Sequence, residues 1–129
     1  MKIKTSELTG PALDWAVAKI EGALAPLGNV TLIGKQLFLM VGSDVGYDDV
    51  HVTYEPSTDW AQGGPIIERE KLQLEYMDSF DAWACSSGIS VEDEQSWDQG
   101  YGPTPLIAAM RCYVASKLGD EVDVPEELI

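Results

Sequence analysis

Two stretches of this chain carry residue types that recognise small polar molecules. In "STDWAQGGPIIERE", residues 57–70, Asp59, Trp60 and Gln62 precede Gly63-Gly64-Pro65, and Glu68 and Arg69 follow. Backbone N–H groups at a Gly-Gly turn can form an anion-binding concavity, because missing side chains let a ligand approach closely. Trp60 offers a flat face to a base or sugar, Asp59 and Gln62 offer acceptors and donors, and Arg69 offers a forked cation. The same residues suit a tight corner anchored by a buried tryptophan.

"WDQGYGPTP", residues 97–105, repeats the pattern: Trp97, an acid, a glutamine, Tyr101 and Gly102, then Thr104 ahead of a helical run. Free N–H groups and the positive dipole end at such a helix start attract anions. If the two loops meet, Trp60 and either Trp97 or Tyr101 bracket a planar ligand. Otherwise the aromatic pair only covers the helix start.

Other candidates are weaker. His51 alternates with Val50 and Val52 in a strand-like run, and Asp48, Asp49 and Glu55 lack calcium-loop spacing. With two cysteines and one histidine, a zinc site within one chain is not expected. No Walker loop, dinucleotide fingerprint, nucleophile elbow or paired-histidine motif occurs. No cofactor or metal is therefore expected. The remaining enzymatic use is Asp59 or Glu68 as acid or base, with Arg69 as an anion clamp.

The elements that must position these residues fit one domain of 129 residues. Residues 10–25 read as a helix: Thr9 is placed to cap it, Pro11 suits its first turn, and Leu13, Ala16, Val17, Ile20 and Leu24 recur at helical spacing. A second helix is predicted over Pro105 to Leu118, with Thr104 as cap, Gly119 as terminator, and Ile107, Met110, Val114 and Leu118 on one apolar face. Between them "NVTLIG", "KQLFLMV", "DVHVTY", "LQLEY" and "DAWACSS" read as strands, the first two as a hairpin around Gly34-Lys35. "MKIKT" reads as a short first strand. Residues 55–65 and 86–103 read as loops, Pro65 as the opening of a short helical turn, and residues 120–129 as an acidic tail that only partly docks. The expected fold class is α+β: a single domain, with a mostly antiparallel sheet and two main helices packed on one face.

Charge narrows the partners. Twenty-two acids against eight bases give a formal net charge of -14, which opposes direct nucleic acid binding. From Lys35 to Arg69 the chain has no intervening Lys or Arg, while Asp44, Asp48, Asp49, Glu55, Asp59 and Glu68 fall there. That is a solvated surface, or a face for a basic partner or a metal ion. No run approaches the roughly 20 apolar residues of a membrane span, and the N-terminal residues carry no signal-peptide pattern. A cytosolic protein with reduced Cys85 and Cys112 is expected.

Three blocks, "MKIKTSELTGPALDWAVAKIEG", "STDWAQGGPIIERE" and "GYGPTPLIAAMRCYVASKLGDEVDVPEEL", resemble the NinX-like family of phage proteins, a domain of unknown function. The resemblance implies a small phage accessory protein acting in the bacterial cytoplasm, and supplies no activity. Its blocks include Asp59, Trp60, Gln62, Gly63, Gly64, Glu68, Arg69, Gly102, Pro103 and Thr104. Residues 26–54 and 71–98 match less clearly, so no role is carried over to them. Two uses lead: a non-enzymatic module binding a nucleotide-like or anionic ligand between the glycine loops, or an acidic module covering a basic surface of a host protein. Oligomeric state is not legible.

Overall fold

The computed structural model describes residues 1–41, 50–86 and 99–129. It is an α+β domain in which, among the described residues, three helices are set among three small antiparallel sheets rather than on one continuous sheet. β1 (Lys2–Lys4) pairs with β8 (Glu121–Asp123), which places the two ends of the chain side by side. The Met1 ammonium donates to Asp123 Oδ1 at 2.8 Å. The acidic tail is docked: Val122, Val124 and Leu128 are buried, because alternate residues of this segment are apolar and turn inward.

α1 (Gly10–Glu21) stops short of residue 25. Gly22 takes the left-handed conformation at φ 67°, and the Ala23 N–H donates to Ala18 O at 2.9 Å, the usual closure of a glycine-capped helix. Thr9 occupies the N-cap position, but its side chain makes no capping hydrogen bond. β2 (Val30–Ile33) and β3 (Gln36–Val41) form the expected hairpin around Gly34-Lys35, and β4 (Val50–Thr53) adds to β3. Val30, Leu37 and Tyr54 of this region pack with Ala18, Trp15 and Leu24 into a small second core. His51 stands opposite Met40 in the β3–β4 register.

α3 (Pro105–Leu118) runs through the middle of the molecule. Leu106, Ala108, Ala109, Met110, Cys112, Tyr113 and Val114 are all buried, so the helix is covered on more than the one face that its spacing predicts. It touches α1 and also the sheet of β5 (Gln73–Met77), β6 (Ala82–Ser86) and β7 (Gln99–Gly102). β7 corrects the expected loop over residues 86–103, since Gln99–Gly102 pair antiparallel with β6. Residues 87–98, including Trp97, lie outside the described residues, as do Asp44, Asp48 and Asp49.

Candidate functional site

The largest departure from expectation falls on residues 57–70. Instead of a loop with a Gly-Gly-Pro turn, the stretch forms α2 (Trp60–Glu70), with Pro65 inside it. Glycine and proline are poor helix formers, so tertiary contacts hold this helix in place. Asp59 caps it, with Oδ1 accepting from Ala61 N at 3.0 Å. Gln62 spends both ends of its amide: Oε1 accepts from Glu55 N at 2.6 Å, and Nε2 donates to Thr53 O at 2.8 Å. This fastens the exit of β4 to the first turn of α2.

The two glycines differ. A Cβ on buried Gly63 would lie 2.3 Å from Pro56 O and 2.7 Å from Leu106 Cδ2, so only glycine lets α2 approach the preceding segment and α3. At Gly64 the nearest atom is Trp60 Cε3 at 3.9 Å, so a side chain fits there. Neither residue forms an anion-cradling turn; both lie within the hydrogen-bonded helix. Trp60 is not a buried anchor either. It is 54% exposed.

Arg69 closes on its own fold. Its Nη1 and Nη2 donate to the two carboxylate oxygens of Glu21 at 3.0 and 2.9 Å, and its Nε donates to Glu70 at 3.0 Å. Nη2 also reaches the Tyr113 hydroxyl at 3.1 Å, and that hydroxyl donates to Glu21 at 2.8 Å. Hydrogen bonds donated to Glu21 and Glu70 hold the guanidinium far above the usual arginine range. Burial, and then the hydrogen bond to Glu21, pushes Tyr113 up to about 12. This is a charge-assisted knot tying α1, α2 and α3 together. The anion-clamp role expected for Arg69 meets a fork already occupied. Glu68, one residue before it, is exposed.

In the second marked stretch Thr104 is the cap predicted for α3, with Oγ1 accepting from Ile107 N at 3.2 Å. Gly100 and Gly102 are both buried and both face α3: added Cβ atoms would lie 2.3 Å from Ala108 O and 2.8 Å from Ile107 Cγ2, respectively. Two glycines at strand spacing thus let a helix lie against the backbone of β7, the close approach that glycine in a strand often signals. Tyr101, between them, faces the other way and is 52% exposed.

Tyr101 borders two clefts. One, of about 260 Å³, is lined by Lys4, Thr5, Tyr101, Arg111, Asp120 and Glu121 among others. Two of its polar side chains are engaged internally: Arg111 donates to Leu8 O at 2.8 Å and Tyr101 O at 2.7 Å, and Thr5 Oγ1 donates to Gly119 O at 2.6 Å. The other, about 430 Å³, lies along β5, β6 and β7 and is lined by Gln73, Glu75, Met77, Ala84, Ser86 and Tyr101. No residue of α2 is among the described lining residues of either cleft, so the bracket of Trp60 and Tyr101 does not form around them.

Sequence reasoning missed Asp14. This carboxylate of α1 is 2% exposed and accepts from Ser57 N at 2.9 Å, which pins the segment before α2. Burial pushes it up to about 6. An acid among alanines and leucines on the inner face of a helix is the signal that was available. Cys85 and Cys112 are both buried and form no disulfide; the hydrogen bond with Cys112, then burial, pushes the Cys85 thiol well up, which makes it a poor nucleophile. Among the described residues no group of three His, Cys, Asp or Glu gathers as metal ligands, and no helix is long and apolar enough to cross a membrane.

Comparison with known proteins gives one family. The family model described as Bacteriophage P22, NinX matches residues 4–117, which takes in all three helices except the last residue of α3. No curated protein matches the chain.

Proposed function

The chain belongs to the NinX family of phage proteins, and from that premise we propose that it is a non-enzymatic accessory module whose acidic surface covers a basic surface of a host protein in the bacterial cytoplasm. The observation that carries this reading is the internal use of the marked polar groups. Gln62, Arg69, Asp59 and Thr104 point their donors and acceptors at the chain itself. The acids among the described residues are meanwhile mostly exposed, with Asp14 the one buried acid among them. A large excess of one sign of charge steers and selects oppositely charged partners.

The test is capture from phage-infected bacteria at low and high salt. A basic protein retained at low salt and released at high salt is expected, since exposed charges are screened over about 8 Å at physiological ionic strength. Retention that ignores salt overturns the reading.

A nucleotide-like ligand is the second reading, and one observation favours it: Trp60 keeps an exposed ring beside the open position at Gly64. Native mass spectrometry of the purified protein separates the two, because a retained small molecule supports this reading against the first.

A further inference from the structure

The sheet of β5, β6 and β7 has two unlike faces. Leu74, Cys85 and Gly100 share one row of the register and turn toward the core, where Cys112 of α3 packs against Gly100. The next row, Glu75, Ala84 and Tyr101, points the other way. Along β6 the outward residues are Ala82, Ala84 and Ser86, all small, so the central strand is the floor of a trough. Gln73, Glu75 and Met77 form its wall on β5, and Tyr101 forms the wall on β7.

The walls stand two strand spacings apart, roughly 10 Å. That width admits one extended side chain lying over Ala84. Its chemistry is also specific: a carboxylate on one wall faces an aromatic ring on the other, and the described lining holds no base. A long cationic side chain satisfies all three surfaces at once. Its aliphatic stem covers the alanine floor, its charge meets Glu75, and its cationic head lies against the Tyr101 ring. A nucleotide phosphate meets the opposite situation, with an acid and no cation.

The geometry points to the outer face of β5–β6–β7 as the docking surface for an extended, arginine- or lysine-bearing segment of a partner protein, with Glu75 and Tyr101 bracketing one cation. This rests on the acidic-module reading above and names the surface through which that module acts. The charge complementarity that selects the occupant is local to the trough as well as global to the chain.

The probe is a short fluorescent peptide of alternating Arg and Thr, titrated at low salt into the full chain and followed by anisotropy, with backbone amide shifts recorded in parallel. Shifts at Glu75, Ala84 and Tyr101 are expected. Glu75→Gln and Tyr101→Ala should each weaken binding roughly three- to fivefold, the range of an exposed cation–ring or ion-pair contact. Ala84→Leu should block it by filling the floor. The double variant Glu126→Gln with Glu127→Gln, which removes more charge outside the trough, should change binding less than about twofold. Equal weakening by the Glu126/Glu127 pair would mean diffuse attraction; it would overturn this surface while leaving the acidic module standing. Failure of the unaltered protein to bind the peptide at all would overturn both.

Discussion

Arg69 in α2 grips Glu21 in α1 through both carboxylate oxygens, at 3.0 and 2.9 Å, across 48 positions of sequence. A bidentate pair with a tyrosine hydroxyl bonded to both partners is fixed in geometry in a way that isolated surface pairs are not.

Arg69→Ala should therefore lower stability. Because the side chain is about half exposed, the expected loss is about 1 kcal/mol, the upper end for exposed pairs, or roughly 3 °C in melting temperature. Added salt should shrink the difference. Parent and variant melting together would show that the knot adds nothing.

Asp14 gives a pH dependence whose sign follows from its burial. Its carboxyl titrates at about 6 in the fold against 3.8 in the unfolded chain, so between those values the folded state holds the proton more tightly. The stabilisation is complete below about pH 4 and lost as pH rises through 6. At pH 8 the buried charge costs at most about 3 kcal/mol. Asp14→Asn keeps an oxygen for the Ser57 N–H and removes the charge, so its denaturant midpoint should exceed the parent's at pH 8 and approach it at pH 4. A variant less stable than the parent at pH 8 contradicts this account.

The two glycines of α2 should respond in opposite directions. Gly63→Ala forces a methyl against the Pro56 carbonyl and should cost about 3 kcal/mol or more, as overpacking against rigid backbone does. Gly64→Ala has room and should stabilise by about 0.5–1 kcal/mol through helix propensity. Thermal melts of the two variants, compared with the parent, check both signs.

Trp60→Ala distinguishes an exposed ring from an anchor. With 54% of the residue in solvent, the substitution should cost about 1 kcal/mol or less, well below the roughly 3 kcal/mol of a buried tryptophan. A nucleotide-panel titration on the same variant bears on the second functional reading, because stacking on Trp60 cannot survive the change.

Met110→Asp should prevent stable folding, since the side chain is fully buried in the core and the new carboxylate has no partner there. Soluble expression with an unchanged melt would remove α3 from the centre of the fold.

The sequence by itself determined the parts of this protein whose signals are local. Apolar residues three and four apart mark α1 and α3, Thr104 caps α3 by its own side chain, and Gly34-Lys35 closes the β2–β3 hairpin. The family blocks were legible for the same reason, because they are strings of residues. Only the tertiary structure decided what the marked residues do. Gly63, Gly64 and Pro65 disfavour a helix locally, yet α2 forms because Gln62 and Gly63 dock it on Thr53, Glu55 and Pro56, and Gly63 also meets Leu106. Gly100 and Gly102 read as loop, yet they build a strand because α3 needs bare backbone to lie on. Arg69 presents an open fork on paper and finds it closed by Glu21, because free energy depends on which groups meet in space and a sequence orders only those that follow one another in the chain.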